Sequence, residues 1–237
     1  MDFHLAAHVH ACATGGQLVL LDVRRDEYMG LGPAQARALG TRVQGWPDVG
    51  ELPNGRTLLS VQDVERLVEG LRALKMIEVG PVSARAHGPN VPTAQVALVS
   101  ERPGVRPRLQ TWAAASLIQA SVKAAWMLRA RSLESILDRV TRRKAARARD
   151  SAMGSAPVAD WVSAFIAVRP MLFGAQGKCL FESFVLIESL AARNVFPTWV
   201  FGVKVAPFAA HCWLQDGATV YNDLPEHVRG YTPILSI

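Results

Sequence analysis

The sequence predicts an α+β protein built from two modules. Short apolar runs separated by turn signals fill the first 31 residues, followed by helical stripes. A second succession, helix then strands, ends the chain. Between the two lies 81–107, which holds Pro81, Pro89, Pro92, Pro103 and Pro107 with Gly88 and Gly104. Each proline removes a backbone donor and fixes φ, so no long helix or central strand fits there. The stretch reads as a linker between a module at 1–80 and another at 108–237. The length, 237 residues, suits one large or two small domains at about 150 residues each. With 50% hydrophobic and 19% charged residues, a disordered chain is excluded.

In the first module, residues 3–12 alternate loosely and Gly15-Gly16 turns the chain. Gln17 to Val23 is a nearly continuous apolar run, the mark of a buried strand. Arg24-Arg25-Asp26 turns the chain again, and Glu27 to Leu31 makes a third short strand. Pro33 suits the first turn of a helix. Ser60, with Asp63 three residues on, caps a second helix whose Val64, Leu67, Val68, Leu71 and Leu74 form one apolar stripe. The product is a small β-meander backed by helices, of winged-helix-like size. Residues 1–80 carry 8 basic and 10 acidic side chains, a net of −2. That balance argues against DNA, whose binding is driven by phosphate neutralisation.

The positive charge sits in the middle. Residues 81–150 hold 13 basic and 4 acidic side chains, a net of +9, much of it in Arg129, Arg131, Arg139, Arg142, Arg143, Lys144, Arg147 and Arg149. Such a run can meet phosphate or an acidic partner, but its ordinary use is a solvated helix face. The most apolar window, Leu109 to Leu128, is interrupted by Gln110, Gln119 and Lys123, so it reads as a buried helix and not a membrane span. The N-terminus shows no signal-peptide pattern, and Cys12, Cys179 and Cys212 are too few and scattered for a disulfide scaffold. A soluble, reduced, cytoplasmic protein is expected. His8, His10 and Cys12 share one strand face without a fourth ligand, so no metal or cofactor is expected.

The C-terminal module carries the chemistry. Gly177-Lys178-Cys179 precedes a periodic apolar segment, Leu180, Phe184, Ile187, Leu190 and Ala191, which puts Cys179 in the first turn of a helix. The positive end of the helix dipole favours a thiolate there. Pro197 to Val205 reads as a strand, Ala209 to Gln215 as another containing His211, and Ala218 to Asp223 as a third. A Cys–His pair oriented by a third polar group is the minimum for acyl transfer through a thioester. Cys212, next to His211, points to the opposite sheet face and reads as core. A two-residue loop at Asp216-Gly217 sets Asn222 opposite His211. An odd or bulged loop such as Gln215-Asp216-Gly217 sets Asp223 there instead. Spacing alone leaves both open.

Two resemblances add to this reading. Gln17-Leu-Val-Leu-Leu-Asp-Val, Tyr28-Met-Gly-Leu-Gly and Val64 to Leu74 resemble the PqqD-like precursor-peptide recognition elements of ribosomal peptide (RiPP) biosynthesis. That likeness implies a leader peptide added as a strand beside Glu27, Tyr28, Met29 and Leu31, against Val64, Leu67, Val68 and Leu71. Lys178-Cys-Leu-Phe-Glu-Ser-Phe, Phe201-Gly-Val-Lys, Pro207-Phe-Ala-Ala-His-Cys-Trp-Leu and Val220-Tyr-Asn-Asp resemble the leader peptidases of lasso-peptide maturation, the B proteins.

The second resemblance implies a papain/transglutaminase-like fold, with a helical part before an antiparallel sheet. It also implies a Cys179–His211–Asp223 triad and hence the odd or bulged loop. The expected activity is hydrolysis of the leader–core bond of a lasso precursor in antibiotic biosynthesis. An asparagine-synthetase-like cyclase would close the freed core amine into a macrolactam. Gln176 is a candidate oxyanion donor beside the Cys179 N–H. Two departures stand out: Glu182 where the family often has a basic residue, and Cys212 where it often has Ala. Acyl transfer to an amine, or a non-catalytic precursor chaperone, are the other readings of the same residues. No nucleic acid or membrane partner is expected.

Overall fold

The structure, a computed structural model, describes residues 3–50, 59–80, 89–98, 107–148, 158–172 and 179–237. Two compact units divide them. One comprises Met1–Asn90 with Gly202–Ala210 and Tyr231–Leu235. The other comprises Val91–Phe201 with His211–Gly230 and Ser236–Ile237.

In the first unit, β1 (Phe3–Leu5), β2 (Val9–Thr14), β3 (Gln17–Asp22) and β4 (Glu27–Leu31) precede α1 (Pro33–Gly40), β5 (Val43–Gln44), α2 (Val61–Ala73) and β6 (Ile77–Val79). The expected meander is present as the antiparallel sheet β2-β3-β4, with β4 on the outside. The loosely alternating start divides into two strands, and β1 joins a separate small sheet, β5-β1-β6. Ser60 caps α2 as expected, its Oγ accepting from the Asp63 N–H at 3.2 Å. Leu18, Leu20, Leu31, Ala36, Leu39, Leu71 and Met76 form the core, and Met29, Leu67 and Val68 lean against it half-buried. Gly15 turns the meander with φ +55°, and a Cβ there would lie 2.6 Å from Val205, so conformation and space both require glycine.

In the second unit, β7 (Val96–Ala97) comes first, then four helices: α3 (Pro107–Ala130), α4 (Leu133–Ala148), α5 (Val158–Leu172) and α6 (Cys179–Ala191). From Thr198 on, the chain forms β8 (Thr198–Val205), β9 (Phe208–Asp216), β10 (Thr219–Val220), α7 (Pro225–Val228) and β11 (Thr232–Ser236), of which Gly202–Ala210 and Tyr231–Leu235 count with the first unit. The sheet order is β11-β8-β9-β10-β7. It is not wholly antiparallel, because β7 pairs in parallel with β10. That outer strand comes from within 81–107, where two residues suffice at a sheet edge despite nearby prolines. Most of that segment, 81–88 and 99–106, lies outside the described residues.

Helix α6 is apolar on nearly every side, and residues 183–191 are all buried. Phe184 stacks on Trp199 of β8 with centroids 5.7 Å apart. Helix α3 packs its small face, Ala113, Ala120 and Ala124, inward with Leu117 and Met127. It is not the buried helix the sequence predicts, because Ile118, Val122 and Trp126, spaced four apart, form an exposed outer row. Periodicity fails here because both faces are apolar. Among the described residues, no helix is long and apolar enough to cross a membrane.

The basic run divides by face. Arg129, Arg131, Arg139 and Arg142 are exposed. Arg143 instead reaches buried Glu188 of α6 at 2.7 Å, where Lys123 of α3 also donates at 2.5 Å. Lys144 meets Thr198 Oγ1 at 3.4 Å. Arg149 lies outside the described residues. Glu188 therefore joins three helices through two charge-assisted bonds. Glu188→Ala is expected to lower stability by about 2–3 kcal/mol, less than for a fully buried pair because both cations can reach water. Urea unfolding of the two proteins measures it. A difference under about 0.5 kcal/mol would mean that the joint contributes only packing.

Candidate active site

Cys179 opens α6, as the sequence predicts, and is half-buried. His211 lies on β9 with Nε2 2.5 Å from Asp223 Oδ2. Asp223 follows β10 and also accepts from the Leu224 N–H at 2.7 Å. With Nε2 committed to Asp223, Nδ1 is the histidine nitrogen available to Cys179. The thiol of Cys179 is pulled down to about 4, first by a hydrogen bond from the Cys212 side chain, against burial, and then by His211 and the Cys212 N–H. For His211, burial works downward. The hydrogen bonds and charges of Asp223 and Cys179 outweigh it and hold the imidazole up at about 9. Between these values the resting pair is thiolate and imidazolium. Asp223 is likewise below its ordinary range: burial opposes ionisation, and the bonds from His211, Leu224 and His227 overcome it.

The hairpin corrects the loop expectation. Thr219 pairs with Asp216 and Val220 with Gln215, so the loop is the two residues Gly217-Ala218, neither odd nor set at Asp216-Gly217. A strict continuation of this register would point Asp223 away from His211. The expected third strand ends at Val220, however, and the chain bends through Tyr221–Asp223. Side-chain alternation, valid only while the strand lasts, does not apply there. Asn222 is buried. Its Oδ1 accepts from the Leu214 N–H at 2.8 Å and its Nδ2 donates to Ser183 Oγ at 3.1 Å. Asn222 thus fixes the bend, and Asp223 meets His211.

Cys212 is buried as expected, but it is not core alone, since it hydrogen-bonds Cys179. Alternation does turn it away from His211 and toward α6, where Ser183 Oγ lies 3.8 Å from its Sγ. Cys179, at the first turn of that same helix, meets both residues. Burial pushes the Cys212 thiol well above its ordinary value, so at neutral pH it remains an S–H donor.

Glu182 pairs with Arg169 of α5 at 2.9 Å. The same guanidinium donates to the Asn222 carbonyl at 3.2 Å, bracing the bend from a second side. His227 escapes the sequence reading, although Asp223-x-x-x-His227 at a helix start was a visible signal. Its Nδ1 lies 3.0 Å from both Asp223 oxygens. His211, Asp223 and His227 offer ligand atoms within 4.8 Å of one another, close enough for a metal, though their mutual hydrogen bonds already account for the grouping. Gln176 lies outside the described residues.

The other candidates lie in the first unit. Glu27 is exposed, Tyr28 packs edge-on against Phe208 at 5.8 Å, and Met29, Val64, Leu67 and Val68 are half-buried. Leu31 and Leu71 are fully in the core. His8 lies 3.9 Å from Asp22 Oδ1, and burial raises the Cys12 thiol to about 12.

A stretch of 50 residues is 38% identical to the microcin J25-processing protein McjB of Escherichia coli, covering 21% of this chain and 24% of that relative. The chain thus matches about a quarter of the relative's length. No solved structure matches. The family model described as the transglutaminase-like superfamily matches residues 118–236, half of the chain and the whole of the span from Cys179 to Asp223. The chain belongs to the transglutaminase-like superfamily.

Proposed function

We propose that the protein is a cysteine peptidase that removes the leader from a ribosomally made lasso-peptide precursor. The observation that carries this is the hydrogen-bonded succession Asp223–His211–Cys179 at the start of a buried helix. The stretch shared with a microcin-processing protein supports the substrate class. The Cys179 thiolate attacks the carbonyl at the leader–core junction. The His211 imidazolium protonates the departing core amine, leaving a thioester between leader and Cys179. Neutral His211 then takes a proton from water, whose oxygen attacks the thioester and releases the leader acid. Asp223 keeps the imidazole oriented and stabilises its charged form. The Cys179 N–H, and Gln176, are the candidate oxyanion donors. No step calls on a metal or cofactor. The freed amine would pass to an asparagine-synthetase-like cyclase.

Residues 1–80 act as a PqqD-like recognition element. Its outer strand β4 offers Glu27 to Leu31 for β-augmentation. Val64, Leu67 and Val68 supply half-buried apolar surface, and Leu31 and Leu71 support them from the core.

Two outcomes are expected. Cys179→Ala should keep the fold and bind precursor but release no leader, as read by mass spectrometry of the incubated precursor. Cleavage at near wild-type rate would end the peptidase reading. Val64→Asp, at an apolar residue that is half-buried without joining the core, should weaken binding of a labelled leader by about tenfold, with thermal unfolding unchanged. Equal affinity would move recognition off this helix face.

A further inference from the structure

Ser183 is fully buried, and its hydroxyl both donates and accepts. It donates to the Cys212 carbonyl at 3.1 Å. It accepts from Asn222 Nδ2 at 3.1 Å, and the Cys212 Sγ, whose proton is directed at Cys179, lies 3.8 Å from it. These partners are the chain neighbours of His211 and Asp223. Ser183 itself stands one helical turn beyond Cys179, on the same face of α6. One hydroxyl therefore links helix, strand and bend at the residues that flank the three reactive side chains.

We propose that Ser183 is the positioning residue of this site, setting the distances among Cys179, His211 and Asp223 through Cys212 and Asn222. Acyl transfer needs those three groups aligned, while they come from a helix start, a strand and an irregular bend that no regular hydrogen-bond ladder holds in register. The bend depends on Asn222, whose amide has its other end on the Leu214 N–H. Without the hydroxyl, the Asn222 amide and the Cys212 carbonyl each lose a buried partner, and Cys212, no longer anchored through its carbonyl, loses the aim of its S–H and N–H at the Cys179 sulfur. The residue adds no group to the reaction and touches no substrate. Its effect is on the state and placement of the thiolate. The inference concerns the site assigned above, and its role in catalysis rests on the peptidase reading.

The test compares wild type, Ser183→Ala and Ser183→Cys. The first readout is the rate of iodoacetamide labelling at Cys179 against pH, located by peptide mapping, which needs no precursor. Ser183→Ala should move the labelling midpoint up by about one pH unit, since a thiolate that loses a hydrogen-bond donor is harder to form. The second readout is precursor cleavage, where kcat should fall by about tenfold or more with KM within about twofold, the mark of misalignment and not of lost binding. Should Ser183→Ala not fold, as judged by circular dichroism, Ser183→Cys keeps the shape with a weaker donor and acceptor and should show the same shifts in smaller degree. A folded variant with the wild-type midpoint and wild-type kcat overturns the proposal. If wild type labels as expected but cleaves no precursor, the peptidase reading fails while the labelling comparison still decides the role of Ser183.

Discussion

The site depends on anchoring a helix that is buried on almost all sides while its first turn stays open. Helix α6 must lie deep to be stable, because its apolar residues leave little polar face for water. Cys179, in the first turn, is nevertheless only half-buried. Buried polar side chains along the helix hold it in place. Glu188 receives Lys123 and Arg143, and Ser189 accepts from Trp161 Nε1 at 3.1 Å. Ser183 joins the helix to Cys212 and Asn222. Each must be matched, since an unpartnered polar group in such a place costs about 1–3 kcal/mol. The same bonds that remove that cost also fix the rotation of the helix, and rotation decides where Cys179 points.

The electrostatics follow from this placement. Cys179 stands at the positive end of the helix, beside Cys212 and His211. His211 is held between two anionic partners, the thiolate and Asp223. Each charge stabilises its neighbour, so the thiolate and imidazolium exist together in the resting protein and need not be created at the moment of reaction. Glu182 and Arg169, at the site's margin, form a pair of their own, and Arg169 also grips the bend. The acidic residue that departs from the lasso-peptidase pattern thus arrives with its counter-charge.

Much of the fold was legible because it rests on local signals. The Gly15-Gly16 turn, the Gln17–Val23 run, the Ser60 cap and the helix opening at Cys179 are each specified within a few residues. What escaped depends on contacts distant in sequence, or on where regular structure stops. Alternation sends Cys212 away from His211, but it cannot say that α6 brings Cys179 to meet both. The same rule tied Asp223 to an odd loop, and the chain meets His211 by ending the strand two residues after the turn. Asn222 reads as a rival for the third position, and its observed place is to hold the bend. The two-faced apolarity of α3 hid its exposed row, since periodicity distinguishes faces only when they differ.

The central claim is that Cys179 and His211 rest as a charged pair. The dependence of kcat/KM on pH tests it most directly, because that ratio reports the free protein's ionisations. On the peptidase reading proposed above, activity needs Cys179 deprotonated and His211 protonated. The profile should therefore rise through about 4 and fall through about 9, with a broad plateau between. A single rise near 8.5, the ordinary cysteine value, with no fall above it, would contradict the account, since it would mean a neutral thiol activated only by bulk alkali.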